Sequence, residues 1–209
     1  MLILHGGAPS PFARKTIAVL EEKGIAYEQR NLAPIPKTPQ LLAMNPIGKI
    51  PILEDGGTFI PDSSVICAYL ERIHPEPAVY PKDPKEFAAA LFLEEYSDTA
   101  VAAAIGPMFF ERFIKKVLLK APADEAIVAK ALAEAVPPVL AYLESRAPRR
   151  PGPVLGAFSI ADAALGGHLG SLRLAGISID AARYPKLAAY SDALLERPSF
   201  AKALASCQP

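Results

Sequence analysis

The sequence predicts two units in series, an α/β half of order βαβαββα followed by an all-helical half. Three observations predict it. Short apolar or alternating runs, punctuated by glycine, are interleaved with helical spacing over residues 1–77. The prolines of His74-Pro75-Glu76-Pro77 and Tyr80-Pro81-Lys82-Asp83-Pro84 then form a linker that no helix can cross. Beyond it, residues 84–209 are rich in alanine, helical in period and without a convincing strand.

Leu2-Ile3-Leu4 is a short apolar run ended by Gly6-Gly7, as expected of a buried strand. Ser10-Pro11 supplies an N-cap and a proline at the first helical position; Ala13, Ile17 and Leu20 share one face, and Gly24 closes the helix. Ile25 to Asn31 alternates as a second strand, and the right-handed crossover rule makes it parallel to the first. Three prolines between Pro34 and Met44 leave room only for a short, irregular helix.

The stretch from Asn45 to Tyr69 organises the rest. Pro51 has no N–H to donate, so it belongs at the first position of a strand or in a special turn, and a cis Ile50–Pro51 bond is one form this takes. Such a bond would face the Ile50 amide and carbonyl outward, toward an extended ligand backbone. Ile52-Leu53 and Thr58-Phe59-Ile60, joined by Glu54-Asp55-Gly56-Gly57, read as a hairpin. A helix follows at once, with Ile66, Tyr69, Leu70 and Ile73 on its buried face. Its first turn offers unpaired N–H groups and the hydroxyls of Ser63 and Ser64 to an anion, while Asp62 offers a carboxylate to a cation. A carbon carrying both an ammonium and a carboxylate would satisfy both. The plain alternative is that Asp62 or Ser63 only caps the helix.

In the second half, a long helix from about Lys85 is expected to kink or break at Gly106-Pro107 and to continue through Met108-Phe109-Phe110-Glu111-Arg112-Phe113. Another is expected over about Asp124 to Arg146, bent near Pro137-Pro138. Ser159 and Asp162 form a capping box for a helix to about Leu174, whose glycine and alanine content predicts burial. Two short helices, Pro185 to Leu195 and Ser199 to Ala205, finish the chain.

Lys+Arg and Asp+Glu are equal at 22 each, which argues against a nucleic-acid partner and against an acidic disordered tail. Met1 to Leu4 is too short for a signal peptide, and no run approaching membrane-spanning length is expected. Cys67 and Cys207 lie in no metal or CxxC spacing, and three scattered histidines give no zinc signature, which fits a reducing cytoplasm and no metal. Cys67 reads as a small core residue. The partner implied is a small molecule or another protein.

With Ser10-Pro11-Phe12-Ala13-Arg14-Lys15, Gly48-Lys49-Ile50-Pro51, Asp62-Ser63 and the Ser159–Asp162 box in this order, essentially the whole chain resembles the cytosolic glutathione transferases. The resemblance implies a thioredoxin-like N-terminal domain (residues 1–77) that binds glutathione. It also implies an all-helical C-terminal domain (residues 84–209) that supplies a pocket for an electrophile. Pro51 then corresponds to the family's cis proline, with Ile50 pairing its backbone to the cysteinyl part of glutathione. Asp62 and Ser63 correspond to the acidic-Ser pair that takes the γ-glutamyl ammonium and carboxylate; most relatives carry the longer Glu at the first position. Lys49 is placed to meet the glycine carboxylate, with Lys37 and Gln40 as weaker candidates. Ser10 resembles the hydroxyl of the serine-type classes, its plain alternative being an N-cap with no substrate contact; Phe12 of the same motif is implied as a glutathione-binding residue, and His5, standing where other classes carry a tyrosine, is expected to be structural and not a base. Arg14 either adds positive potential to the site or is solvated or ion-paired.

The implied reaction joins the glutathione thiolate to an apolar electrophile. A cysteinyl thiol of pKa about 8.5 is only a few per cent thiolate at pH 7, and a hydroxyl donating to sulfur beside a helix N-terminus stabilises the anion. Met108, Phe109, Phe110 and Phe113 are the candidates for the electrophile pocket, with roughly two of the four expected to line it and the rest to be core. A homodimer is implied as well. Other readings keep the fold: a non-catalytic binding or regulatory protein, or a glutathione-dependent isomerase, peroxidase or dehalogenase. Ser10, Lys49, Asp62 and Ser63 together favour the enzyme, because an adaptor has no use for a zwitterion site.

Overall fold

The computed structural model describes residues 1–207. Strand β1 (Leu2–His5) leads through α1 (Pro11–Glu22) to β2 (Tyr27–Arg30), and α2 (Pro39–Met44) precedes the hairpin β3 (Ile52–Asp55) and β4 (Thr58–Pro61). Helix α3 (Ser63–Ile73) completes the first half. The sheet order is β2-β1-β3-β4, with β1 parallel to β2 and both other pairs antiparallel. The second half is all helix, as expected. The capping chemistry agrees with the sequence: Ser10, Thr38, Asp62 and Asp83 each accept from backbone N–H groups of the helix they begin.

At Gly106-Pro107 the helix does not break, and it continues through Met108 to Phe113 as expected. The chain stays helical through it, from α4 (Pro84–Tyr96) by way of a π-helical turn, Ser97–Val101, into α5 (Ala102–Phe109), and on through a second π-helical stretch, Phe110–Leu119. A proline lacks one N–H, and the wider winding on either side re-registers the ladder, so the helix changes winding instead of breaking. The same device precedes Pro137-Pro138. Helix α6 (Glu125–Lys130) passes through a π-helical turn, Ala131–Ala135, into α7 (Val136–Arg146), whose first turn holds both prolines. Taken together, Glu125–Arg146 is 22 residues long and holds an 18-residue window of mean hydropathy 1.5, enough by length and composition alone to cross a membrane, which the sequence reading did not anticipate. Val136, Val139, Leu140 and Leu143 of this helix are buried in the core.

Helix α8 (Ile160–Leu174) is the pillar of the molecule, with thirteen residues of its fifteen buried. Its capping box is present: the Asp162 carboxylate accepts from the Ser159 N–H at 3.0 Å, and also from the Val154 N–H at 2.9 Å and the Tyr190 hydroxyl at 2.8 Å. Burial pushes the Asp162 pKa up, against the pull of these donors. Helices α9 (Pro185–Leu195) and α10 (Pro198–Ala205) pack beside it, and Arg197 and Ser199 reach across to Glu22 at the end of α1.

The two halves meet along α1 and α8, and glycine sets how closely. A Cβ on Gly167 would lie 2.5 Å from the Pro11 carbonyl oxygen, a backbone atom that cannot step aside. Gly167→Ala is therefore expected to lower the unfolding free energy by about 1–3 kcal/mol, the range for overpacking a core. Gly106 meets nothing within 4 Å, and Gly106→Ala is expected to stabilise by about 0.5–1 kcal/mol as a helix-interior glycine replacement. Urea unfolding of both variants checks the contrast.

Candidate functional site

The site follows from strand register. His5 pairs with Ile52 and Ile52 with Pro61, so the next positions outward, Gly6, Pro51 and Asp62, line up across β1, β3 and β4 at one end of the sheet. A Cβ on Gly6 would lie 3.3 Å from Ile50 Cβ and 3.5 Å from Pro51 Cα, which brings the loop before α1 directly against the proline. The Ile50–Pro51 bond is cis. Among the described residues neither the N–H nor the C=O of Ile50 has a hydrogen-bond partner, so one residue of extended backbone stands open for an edge partner.

Ser10 is half-buried and its Oγ accepts from the Ala13 N–H at 3.3 Å. Capping uses a lone pair of the hydroxyl and leaves its hydrogen free to donate. Ser10 thus caps the helix and keeps a donor at the positive end of the α1 dipole.

Asp62 is exposed and holds φ 79° and ψ 131°, a conformation rare for any residue but glycine. Such geometry costs about 1–3 kcal/mol and persists only where neighbours impose it. Here one carboxylate oxygen accepts from the N–H groups of Ser64 (2.9 Å) and Val65 (3.3 Å), so the capping reading of Asp62 is realised. The other oxygen has no partner among the described residues. Ser63 is the buried first residue of α3.

Lys49 is exposed and its ammonium is free of ion pairs among the described residues. Lys37 is engaged instead: its Nζ donates to the Ile47 carbonyl at 2.8 Å, and its stem covers Gly48, which holds φ +67°. Gln40 is exposed. His5 is buried, its Nε2 lying 2.8 Å from the Glu54 carboxylate across β1 and β3. Cys67 is buried, and burial pushes its thiol up to about 12, as befits an inert core residue.

Three of the four proposed pocket residues are core. Met108 is wholly buried, and Phe109 and Phe113 stack at 5.2 Å within the same cluster; Phe110 alone keeps substantial exposure, at 36 %. Apolar residues at helical spacing carry no mark that distinguishes core from pocket, which is why the sequence singled out all four.

Arg14 is neither solvated nor ion-paired. It is fully buried and donates to the carbonyls of Ala8 (2.6 Å), Pro9 (3.1 Å) and Gly167 (2.7 and 3.1 Å) and to the Ser171 hydroxyl. Burial lowers its pKa to about 10. It therefore ties the loop that carries Ser10 to α8. Phe12, in contact with the same helix, meets the His168 ring edge-on at 5.2 Å.

Sequence reasoning passed over Lys15 and His168. Both are buried and face Asp98, Lys15 Nζ at 2.7 Å and His168 Nε2 at 3.7 Å. Burial drives the His168 pKa below 6.5, Arg14 and Lys15 add to that, and Asp98 opposes it. The sign follows: as pH falls through about 6.5 the unfolded chain takes up a proton that folded His168 refuses, so stability is present above that pH and lost below it. Stability of the wild type is expected to fall between pH 7.5 and 5, and less so in His168→Phe. Urea unfolding at pH 7.5, 6.0 and 5.0 measures the difference in slope. The signal available in the sequence was Arg14-Lys15 inside an otherwise apolar helix, since charges on a buried face require partners.

Two concavities lie in the helical half. One of about 290 Å³ is walled by Leu172, Arg173, Ile177 and Leu195, and one of about 400 Å³ by Arg112, Lys116, Glu125 and Leu174. Neither includes a residue of the Gly6–Pro51–Asp62 row. Among the described residues no group of three or more His, Cys, Asp or Glu side chains is placed to hold a metal.

A mixed four-stranded sheet with an open proline edge, joined to an all-helical domain, defines a thioredoxin-like two-domain protein. Comparison with known proteins assigns it further. Residues 4–78 match the family described as glutathione S-transferase, N-terminal domain, and residues 121–193 match its C-terminal domain. The chain is 30% identical over 215 aligned residues to the probable glutathione S-transferase GSTF2 of Oryza sativa subsp. japonica, covering 99% of this chain and 97% of the relative. The structure of a glutathione S-transferase from Rhodospirillum rubrum F11 superposes with a TM-score of 0.86 at 28% identity, covering 96% of this chain and 90% of the other. One from Methylobacterium radiotolerans JCM 2831, solved in complex with glutathione sulfonate, gives 0.77 at 31% identity, covering 97% and 94%. The chain belongs to the glutathione S-transferase family.

Proposed function

We propose that the protein joins the thiolate of glutathione to an apolar electrophile, with Ser10 as the group that stabilises the thiolate. The observation that carries the proposal is the Ser10 hydroxyl, which caps α1 as an acceptor and retains a free proton on the loop packed against Ile50-Pro51. In this reading the cysteinyl backbone pairs with Ile50, Asp62 takes the γ-glutamyl ammonium on its free oxygen, Ser63 and the first turn of α3 take the adjoining carboxylate, and Lys49 takes the glycine carboxylate. That glutathione-type ligands occupy a relative of 31% identity supports this choice of co-substrate.

The thiol loses its proton to water, Ser10 donates to the sulfur anion, and the sulfur attacks an electrophilic carbon to give a thioether, either by addition, the adduct anion taking a proton back from water, or by displacement of a leaving group that departs with its bonding pair. The electrophile side is assigned to the helical domain, where Phe110 is the exposed member of the four aromatic and methionine candidates. The protein works in the cytoplasm and as a homodimer in this reading. Exposed Val65 on α3 and Phe87, Leu91 and Phe92 on α4 supply apolar surface for a second copy.

Calorimetric titration of glutathione, followed by assay of thioether formation with an activated aryl chloride and with an α,β-unsaturated carbonyl, tests the proposal. Binding in the micromolar to millimolar range with turnover of either electrophile is the expected result. Saturating glutathione that gives neither heat nor turnover would overturn it.

A further inference from the structure

Beneath the first turn of α3 lies a buried ionic cluster to which the glutathione reading gives no role. Lys15, on α1, is fully buried, and its ammonium touches three oxygens: Ser64 Oγ at 2.8 Å, Asp98 Oδ2 at 2.7 Å and Glu94 Oε1 at 2.6 Å. Ser64 is the second residue of α3, and its hydroxyl also lies 3.3 Å from Asp98 Oδ2. The two carboxylates come from the other domain, Glu94 from the end of α4 and Asp98 from the π-helical turn Ser97–Val101. That wider turn is a local departure from α-helical geometry of the kind that re-aims a side chain at a functional site.

The start of α3 is thus gripped on two sides. Asp62 caps the Ser64 and Val65 amides from outside, and Lys15 holds the Ser64 hydroxyl from inside. A simple staple between the domains would need only Lys15 with Glu94 and Asp98. The added bond to Ser64 spends one of three ammonium protons on the turn that presents Asp62 and Ser63.

We propose that Lys15 is a positioning residue for glutathione: through Ser64 it fixes the turn that anchors the γ-glutamyl group, and through Glu94 and Asp98 it makes that turn depend on the docked helical domain. The proposal rests on the glutathione reading above. Its consequence is that affinity, and not thiol activation, is sensitive to this cluster, because Ser10 lies at the opposite end of the row and is held separately by Arg14 and α8.

Ser64→Ala tests it while leaving the Lys15 ion pairs in place, with Ser64→Thr as the conservative variant. Amide exchange of α3 is followed in the ligand-free protein, and glutathione affinity and the pKa of the bound thiol are measured alongside. For Ser64→Ala the expected results are a Kd raised about three- to tenfold, as for loss of one hydrogen bond of ordinary strength, and an unchanged thiol pKa. Exchange is expected to quicken only in the first turn of α3, and threonine is expected to restore both properties. An unchanged Kd with unchanged exchange would overturn the proposal. So would exchange that quickens equally in every helix, which would reduce the cluster to a fold staple. If the wild type binds no glutathione, that reading falls by itself, and exchange confined to the start of α3 still decides whether Lys15 fixes the turn.

Discussion

Ser10→Ala is expected to raise the pKa of protein-bound glutathione by about two units, equivalent to roughly 2.7 kcal/mol, and to slow conjugation at pH 6.5 by about 30- to 100-fold. A hydroxyl donor and the α1 N-terminus favour the sulfur anion over the neutral thiol, and alanine removes the donor while the dipole stays. Alanine also removes the cap to Ala13, which is worth about 0.5–2 kcal/mol of stability, so a slower reaction alone would be ambiguous. Ser10→Gly resolves this, since glycine at an N-cap costs only about a few tenths of a kcal/mol relative to serine and presents no side-chain donor. Ultraviolet titration of the bound thiolate in all three proteins is the measurement. A thiol pKa that moves in Ser10→Ala and stays put in Ser10→Gly would assign the effect to the cap and remove Ser10 from the chemistry.

Asp62→Asn is expected to weaken glutathione binding about 10- to 100-fold with no change in the pKa of the bound thiol. Asparagine tolerates positive φ and caps as well as aspartate, so the backbone at φ 79° and the bonds to Ser64 and Val65 are retained while the charge is lost. A glutathione analogue lacking the γ-glutamyl ammonium separates the contributions. It should bind wild type and Asp62→Asn alike, because the charge that Asp62 would meet is absent. If the variant loses affinity for the analogue as steeply as for glutathione, Asp62 acts through the helix start and has no ammonium contact.

Much of the first domain was legible because it depends on local rules. Proline at a strand start, glycines in the hairpin and serine or aspartate ahead of an apolar period each name their position, and the structure has β3, β4 and α3 where they fall. Strand register then follows from the hairpin, and register alone aligns Gly6, Pro51 and Asp62. The helical domain was legible in outline only. Gly106-Pro107 reads locally as a kink or a break, and tertiary packing of Ile105, Met108 and Phe109 keeps it from being a break, the ladder absorbing the missing N–H by rewinding.

The sequence by itself determined the order of elements, the caps and the resemblance of Ser10, Pro51, Asp62 and Ser63 to a glutathione site, since these are carried by residues close in the chain. Only the tertiary structure decided what Arg14 and Lys15 do, which of Met108, Phe109, Phe110 and Phe113 stays exposed, and that His168 faces Asp98. Those outcomes depend on contacts between residues up to 157 positions apart, as in the bond from Arg14 to Ser171. A buried charge advertises in sequence that it needs partners, but which partners it finds is set by the packing of α1 against α8, and that packing is set by the close approach at Gly167.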